Sequence, residues 1–224
     1  MSINNVELKM LSQNRLDPKY LGLLVIDIQN DFCHPKGAFS KSNKKLVNLK
    51  QIISNINNII DQSRFINLAI FHILTTHDIW TDSITYKDVA KLHARSGICK
   101  KGSWGAQRYN INFSEEDYTI EKHRYSAFQG TNLEMVLRCN NIYNLLLTGV
   151  LTNVCVESTA REAFHRDFFP IVLEDCVTTD NISFHKSSLK VIQDYFGLVI
   201  SSKSAFNIWK DHYKSNISTK LTQY

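Results

Sequence analysis

A chain of 224 residues with 43% hydrophobic content can bury a substantial core and has room for one domain or at most two; we read one, residues 1–224, with its core at about 20–213. Its 26 Lys and Arg against 21 Asp and Glu leave a mild positive balance, dispersed rather than gathered into the basic runs that bind nucleic acid or a membrane surface. No apolar run approaches the ~18 residues of a membrane span and the polar N-terminus lacks a signal-peptide core, so neither nucleic acid nor membrane is expected as a partner and the expected location is cytoplasmic.

Residues 1–20 show little periodicity and read as an irregular arm. Leu21 to Asp27 is a nearly continuous apolar run, as in a parallel strand covered on both faces. It ends in an acid at the rim where open α/β sheets bind ligands, although from this segment alone Asp27 could equally be a turn or cap residue. Asp31 to Lys45, containing Pro35-Lys36-Gly37, reads as a loop. Leu46, Leu49, Ile52, Ile53, Ile56, Ile59 and Ile60 recur at three- and four-residue spacing, which makes one apolar face of a helix from about Lys44 to Arg64. Asn67 to Leu74 is a second strand, and this β-α-β order implies a right-handed crossover and a parallel sheet.

Residues 75–117 have no clear periodicity; a segment of this kind covers a pocket or hides short helices. Trp80 and Trp104 within it could line that pocket or anchor local packing. Tyr118 to Lys122 is a third strand, Thr131 to Cys139 a helix with Thr131 as N-cap, and Tyr143 to Thr148 a fourth strand. A helix from Asn153 or Val154 to Phe168 carries Cys155. Phe169 to Leu173 is a fifth strand ending in Glu174-Asp175. Ser183 to Tyr195 is a helix, Leu198 to Ile200 a short sixth strand, and Ser204 to Tyr213 a closing helix. The alternation predicts a doubly wound, three-layer α/β domain with a six-stranded parallel sheet of Rossmann-like topology.

Cys155 stands where a strand has ended and a helix begins, a place where outward-pointing amide groups lower a thiol pKa and favour a thiolate nucleophile. The other cysteines, at 33, 99, 139 and 176, show neither CxxC nor zinc-ribbon spacing and read as inert free thiols. No G-x-G-x-x-G follows the first strand, where Asp27-Ile28-Gln29-Asn30-Asp31 stands, so no dinucleotide cofactor is expected.

The run Thr148-Gly149-Val150-Leu151-Thr152-Asn153-Val154-Cys155-Val156-Glu157-Ser158-Thr159-Ala160-Arg161-Glu162-Ala163 resembles the nucleophile segment of the isochorismatase-like cysteine hydrolases. Val25-Ile26-Asp27-Ile28-Gln29-Asn30-Asp31-Phe32 resembles that family's first strand and acidic residue, and Glu121-Lys122-His123-Arg124-Tyr125-Ser126-Ala127-Phe128 its lysine block. The blocks occur in the family's order, and the likeness covers roughly Leu21 to Ile200. It implies strand order 3-2-1-4-5-6 and a triad of Asp27, Lys122 and Cys155. It also implies a cis peptide at Val150–Leu151 and an oxyanion hole made by the N–H groups of Leu151 and Cys155. In such a site an ammonium favours the thiolate, while a carboxylate takes the thiol proton and returns it to a leaving amine. Phe32, Trp104, Tyr125 and Phe128 are the expected pocket residues. His72, His77 and His123 offer an alternative base, but none sits in a recognisable motif.

Nicotinamidases, relatives in this superfamily, carry a metal after the second strand on an Asp-x-His pattern. Here Thr75-Thr76-His77-Asp78 lacks the acid two residues before the histidine, so neither metal nor cofactor is expected. Lys100-Lys101-Gly102-Ser103-Trp104, Arg124 to Phe128 and Asn153 to Thr159 look most like the ureidoacrylate amidohydrolases. The function implied is cysteine-dependent hydrolysis of a small amide, ureido or carbamoyl C–N bond through a thioester, by a homo-oligomer (dimer or tetramer). One alternative is an isochorismatase-type vinyl-ether hydrolase, a branch that typically lacks the cysteine. Another is a non-catalytic isochorismatase-like binding or assembly protein, since a fold alone does not fix function.

Overall fold

A computed structural model describes residues 14–93 and 96–210. Its strands are β1 (Leu21–Ile26), β2 (Ala69–Thr75), β3 (Tyr118–Lys122), β4 (Asn144–Val150), β5 (Phe169–Thr178) and β6 (Leu198–Ile200). Its helices are α1 (Asn30–Cys33), α2 (Ala38–Lys41), α3 (Leu49–Phe65), α4 (Ile84–Leu92), α5 (Leu133–Cys139), α6 (Glu157–His165) and α7 (Ile182–Tyr195), with a last helix over 202–210. The strands form one sheet in the order β3-β2-β1-β4-β5-β6, every neighbouring pair parallel. The doubly wound expectation and its strand order are met.

The central strands β1 and β4 are buried along their whole length because both faces of the sheet are covered there, whereas the edge strand β3 exposes Tyr118, Thr119 and Glu121. In β1, Leu21, Leu23 and Val25 join one core and Leu24 and Ile26 the other, the two-residue alternation of a strand used on both sides. The first core is closed by Ile52, Ile53, Ile56, Ile59 and Ile60 of α3 and by Ala205 and Trp209. The second is closed by α5, α6 and α7 through Leu133, Leu137, Ala160, Ala163 and Ile192.

The departures from expectation are local. The fifth strand does not stop at Leu173: Leu147 pairs with Val172 and Gly149 with Val177, so residues of β5 bulge out between them and the ladder resumes. Leu173 and Cys176, of opposite parity, therefore face the same core, and it is this bulge that carries Glu174 and Asp175. The segment read as a loop over Asp31 to Lys45 holds α1 and α2, and 75–117 holds α4 and a 3-10 turn at Trp104–Ala106. Four-residue helices are too short to display a period, and α4 buries only Ala90. The first long helix begins at Leu49 rather than near Lys44. The predicted closing helix is helical as far as 210; its remainder, and most of the predicted N-terminal arm, lie outside the described residues.

Consecutive side chains after β1 fasten the irregular segment down. Gln29 Nε2 donates to the carbonyls of Thr75 and Ala106, both at 2.8 Å, and Asn30 Nδ2 to that of Trp104 at 2.8 Å. The Asp31 carboxylate accepts from the amides of Ala38 (3.0 Å) and Cys99 (2.7 Å). A stretch without periodicity is thus ordered by buried polar groups that must find partners.

At the carboxyl ends of the two central strands Ile26 pairs with Gly149. Gly149 has φ +114°, and a Cβ there would run into the Ile26 carbonyl, so the approach of β1 to β4 requires glycine. Gly149→Ala is expected to cost about 2 kcal/mol or more, from a disfavoured φ and an overpacked contact. Thermal unfolding checks it: a fall in Tm is expected, and an unchanged Tm would contradict the packing described.

Candidate active site

Four neighbouring strand ends meet at one point. Asp27 follows β1, Thr75 ends β2, Lys122 ends β3 and Cys155 follows β4. Asp27 turns out of its strand at φ 57°, a left-handed conformation that a short polar side chain tolerates, and its amide donates to the Ile73 carbonyl at 2.9 Å. Lys122 starts two strands away and crosses β2, pairing in register with Thr75. Its Nζ donates to Thr75 Oγ1 at 2.7 Å, to the Arg124 carbonyl at 3.1 Å and to Cys155 Sγ at 3.5 Å. These bonds use all three ammonium hydrogens. Asp27 Oδ2 is a fourth neighbour at 2.9 Å, paired by charge but outside hydrogen-bond geometry, and that buried oxygen has no hydrogen-bond partner among the described residues. Asp27 Oδ1 accepts from Thr75 Oγ1 at 2.8 Å. Thr75 therefore accepts from the ammonium and donates to the carboxylate.

Burial pulls the Lys122 ammonium toward deprotonation, but the Asp27 carboxylate and then the Cys155 sulfur outweigh it, and the net shift is upward. Lys122, 0% exposed, is charged at neutral pH. The Cys155 thiol moves the other way from the expectation at a helix start: burial pushes it up, the adjacent Asp27 carboxylate pushes it further, Lys122 opposes both, and it reaches about 12. The physical reason lies in the entry to α6. The chain passes through a π-helical turn at Thr152–Val156, where the amides of Val154 and Val156 both point back to the Leu151 carbonyl, at 3.1 and 3.2 Å. Those two amides are committed there, and desolvation dominates. The Val150–Leu151 peptide is cis, as the resemblance implies. Burial also raises Cys33 to about 12 and pushes up Cys99 and Cys176.

A narrow cavity of about 40 Å³ opens on Cys155. Phe32 and Tyr125 line it, with Phe39, Ala90, Ile98, Leu151 and Val154 in the rest of its apolar wall. Phe128 and Trp104 do not. Phe128 is 3% exposed and packs 5.5 Å from the Phe168 ring in the second core. Trp104 is 47% exposed and meets His34 edge-on at 4.9 Å, because its backbone, not its ring, is what Asn30 holds. Trp80, 88% exposed, does not line the cavity either.

The polar liners are Thr75, His77, Tyr86 and Arg124, none of which the sequence motifs single out as pocket residues. For Thr75 a signal existed: with strand order 3-2-1, a lysine reaching from β3 toward β1 must pass the end of β2. His77 places Nδ1 2.7 Å from Asp82 and Nε2 2.7 Å from the Tyr86 hydroxyl, and burial lowers its pKa. With both ring nitrogens engaged, and no group of three or more His, Cys, Asp or Glu able to hold a metal among the described residues, the residues present do not fit the metal found in some relatives. His72 pairs with Asp117 at 3.1 Å and His123 with the Thr76 carbonyl at 2.8 Å, so none of the three candidate histidines is hydrogen-bonded to Cys155.

The Isochorismatase domain family matches residues 22–204 of this chain. Ureidoacrylate amidohydrolase RutB of Methylobacterium radiotolerans is 31% identical over 206 residues, 85% of this chain and 80% of that protein. The RutB of Acinetobacter baylyi is 27% identical over 88% of this chain and 86% of its own length. An isochorismatase-like hydrolase from Alkaliphilus metalliredigens, of known structure, superposes with a TM-score of 0.72 at 25% identity, covering 87% of this chain and 99% of that one.

The charges around Cys155 make opposite predictions for two substitutions. Asp27→Asn removes a cause that raises the thiol, so the pH midpoint of Cys155 alkylation should fall below that of the parent protein. Lys122→Met removes the opposing cation and should move the midpoint up. Iodoacetamide labelling followed site by site across pH reads both, and a midpoint that rises in Asp27→Asn would overturn this electrostatic account.

Proposed function

Because the chain belongs to the isochorismatase family, we propose that Asp27, Lys122 and Cys155 are the catalytic triad of a cysteine hydrolase that cleaves the C–N bond of a small amide, ureido or carbamoyl compound. The observation that carries this reading is the ammonium of Lys122, held between a carboxylate and a thiol, beside a carboxylate oxygen with an uncommitted lone pair. On the same reading the whole chain is one hydrolase domain, working as a homo-oligomer in the cytoplasm. No described helix is long and apolar enough to cross a membrane.

In the reaction, Asp27 takes the thiol proton and the sulfur attacks the carbonyl carbon. Once Asp27 is protonated, the sulfur faces a neutral carboxyl group and an ammonium, so the carboxylate's contribution to its raised pKa disappears. The tetrahedral oxyanion takes hydrogen bonds from the N–H groups of Leu151 and Cys155. Collapse breaks the C–N bond as Asp27 delivers its proton to the departing nitrogen, leaving a thioester on Cys155. Water then gives a proton to Asp27 and its oxygen to the acyl carbon, and the proton returns to sulfur as the acid or carbamate leaves. Lys122 stays protonated throughout and offsets negative charge as it moves from oxygen to sulfur and back.

Cys155→Ala and Cys155→Ser should both abolish ammonia release while far-UV circular dichroism stays that of the parent protein. Asp27→Asn should lower kcat by roughly 10²–10⁴-fold, the usual worth of a positioned acid–base group, with a smaller change in KM. Steady-state assays over ureido, carbamoyl and simple amide compounds measure this, and full turnover by Cys155→Ala would rule out the thioester route.

A further inference from the structure

Cys155 sits in a turn of unusual pitch. The Leu151 carbonyl takes the amides of Val154 and Val156 and passes over that of Cys155, the residue between them. In a regular α-helical turn the same carbonyl would take the amide four residues on, which is that of Cys155. The π-helical opening at Thr152–Val156 thus keeps the Cys155 N–H off the Leu151 carbonyl, and that N–H is one of the two donors the oxyanion needs. A π turn is rare beside the α-helix, occurs mostly as a single turn and is frequent at functional sites; here an ordinary α-helix follows at once, from Glu157. Contacts from outside the turn have to keep the α register from running back through it.

Helix α7 supplies them from one face. His185 Nδ1 lies 3.0 Å from Thr152 Oγ1, and Ser188 Oγ donates to Glu157 Oε2. Residues three apart share a helix face, so the two bonds leave α7 side by side. They hold the first residue of the turn and the residue just after its last, with Cys155 between. Both points are themselves fixed: Thr152 is fully buried, and the other carboxylate oxygen of Glu157 accepts from Arg161 Nε and Nη2 at 2.9 and 2.7 Å. A change of register by one residue would turn the two points relative to each other by about 100°, more than two bonds to one rigid helix can follow.

We infer that His185 and Ser188 are positioning residues for catalysis: α7 clamps the two ends of the nucleophile turn, and the clamp reserves the Cys155 amide for the oxyanion. This rests on the cysteine-hydrolase reading of the site. It adds two residues on which the oxyanion donor depends, from a helix that supplies nothing to the cavity wall.

The test separates the amide from the sulfur. Propionaldehyde adds reversibly at Cys155: the sulfur bonds to the aldehyde carbon, the thiol proton passes to Asp27, and the former carbonyl oxygen comes to rest on the amides of Leu151 and Cys155. Iodoacetamide alkylates the same sulfur without forming an oxyanion. In the full-length protein carrying both His185→Leu and Ser188→Ala, the propionaldehyde concentration that half-protects Cys155 from iodoacetamide should rise roughly 10–100-fold, up to the lower end of what is lost when an oxyanion donor is removed outright. The labelling rate without aldehyde should stay close to that of the parent protein. His185→Asn and Ser188→Thr, which keep a polar atom at each end of the turn, should retain most of the parental protection. Protection unchanged in the double variant, lost only in step with the labelling rate, or lost equally in the conservative variants would overturn the inference, as would a parent protein that propionaldehyde does not protect. Should the double variant lose the parental far-UV circular dichroism, the two single substitutions, each releasing one end, are read by the same criteria. Protection that is present in the parent and lost in the double variant, from a protein that releases ammonia from no amide, supports the clamp and overturns the C–N hydrolase reading alone.

Discussion

A buried ammonium is the feature on which the rest of the structure turns. Taking an unpaired lysine out of water costs several kcal/mol even after the protein relaxes, and Lys122 is fully enclosed. The cost is offset only because three acceptors and a carboxylate converge on one nitrogen. They come from the ends of β1 and β2, the turn after β3 and the turn after β4, elements that only a parallel sheet in this order brings together. Gly149 closes β4 onto β1, Thr75 stands at the crossing point of the lysine, and Thr159 ties the lysine block to the cysteine helix by accepting from the Ala127 amide (3.0 Å) and donating to the Cys155 carbonyl (2.7 Å).

The same convergence sets the chemistry. A cysteine pre-ionised by a helix end would be reactive toward any electrophile that reached it. Here burial and Asp27 raise the pKa of the thiol, and on the proposed mechanism the thiolate becomes favourable as the proton passes to that same carboxylate. On that proposed mechanism nucleophile activation is linked to Asp27 holding the proton that the departing nitrogen needs, which suits a reaction whose leaving group is a poor one.

Much of the fold was legible because its signals are periodic. Doubly covered strands read as unbroken apolar runs, and the three- and four-residue spacing of Ile52 to Ile60 could only be a helix packed on one side. What escaped was what periodicity does not encode: the four-residue helices α1 and α2, the bulge that carries Glu174 and Asp175, and the tethering of 97–107 by Gln29, Asn30 and Asp31. At the site, Asp27, Lys122 and Cys155 were readable from ordered motifs, and they converge as expected. The pocket was not, because an aromatic residue near a motif says nothing of where its ring points: Phe128 turns into the second core and Trp104 outward, whereas Arg124, inside the motif, turns toward the cavity. The thiol's protonation was misjudged because helix-end electrostatics can be inferred from order along the chain, whereas desolvation depends on how deep the group lies.

The most direct measurement is acid-quench mass spectrometry of the protein during turnover of a ureido or amide substrate. The account predicts an acyl or carbamoyl adduct confined to the peptide bearing Cys155, appearing before steady state and removed by hydroxylamine. Steady turnover with every cysteine unmodified at all quench times, in a substrate whose acyl-enzyme hydrolysis limits the rate, would contradict it.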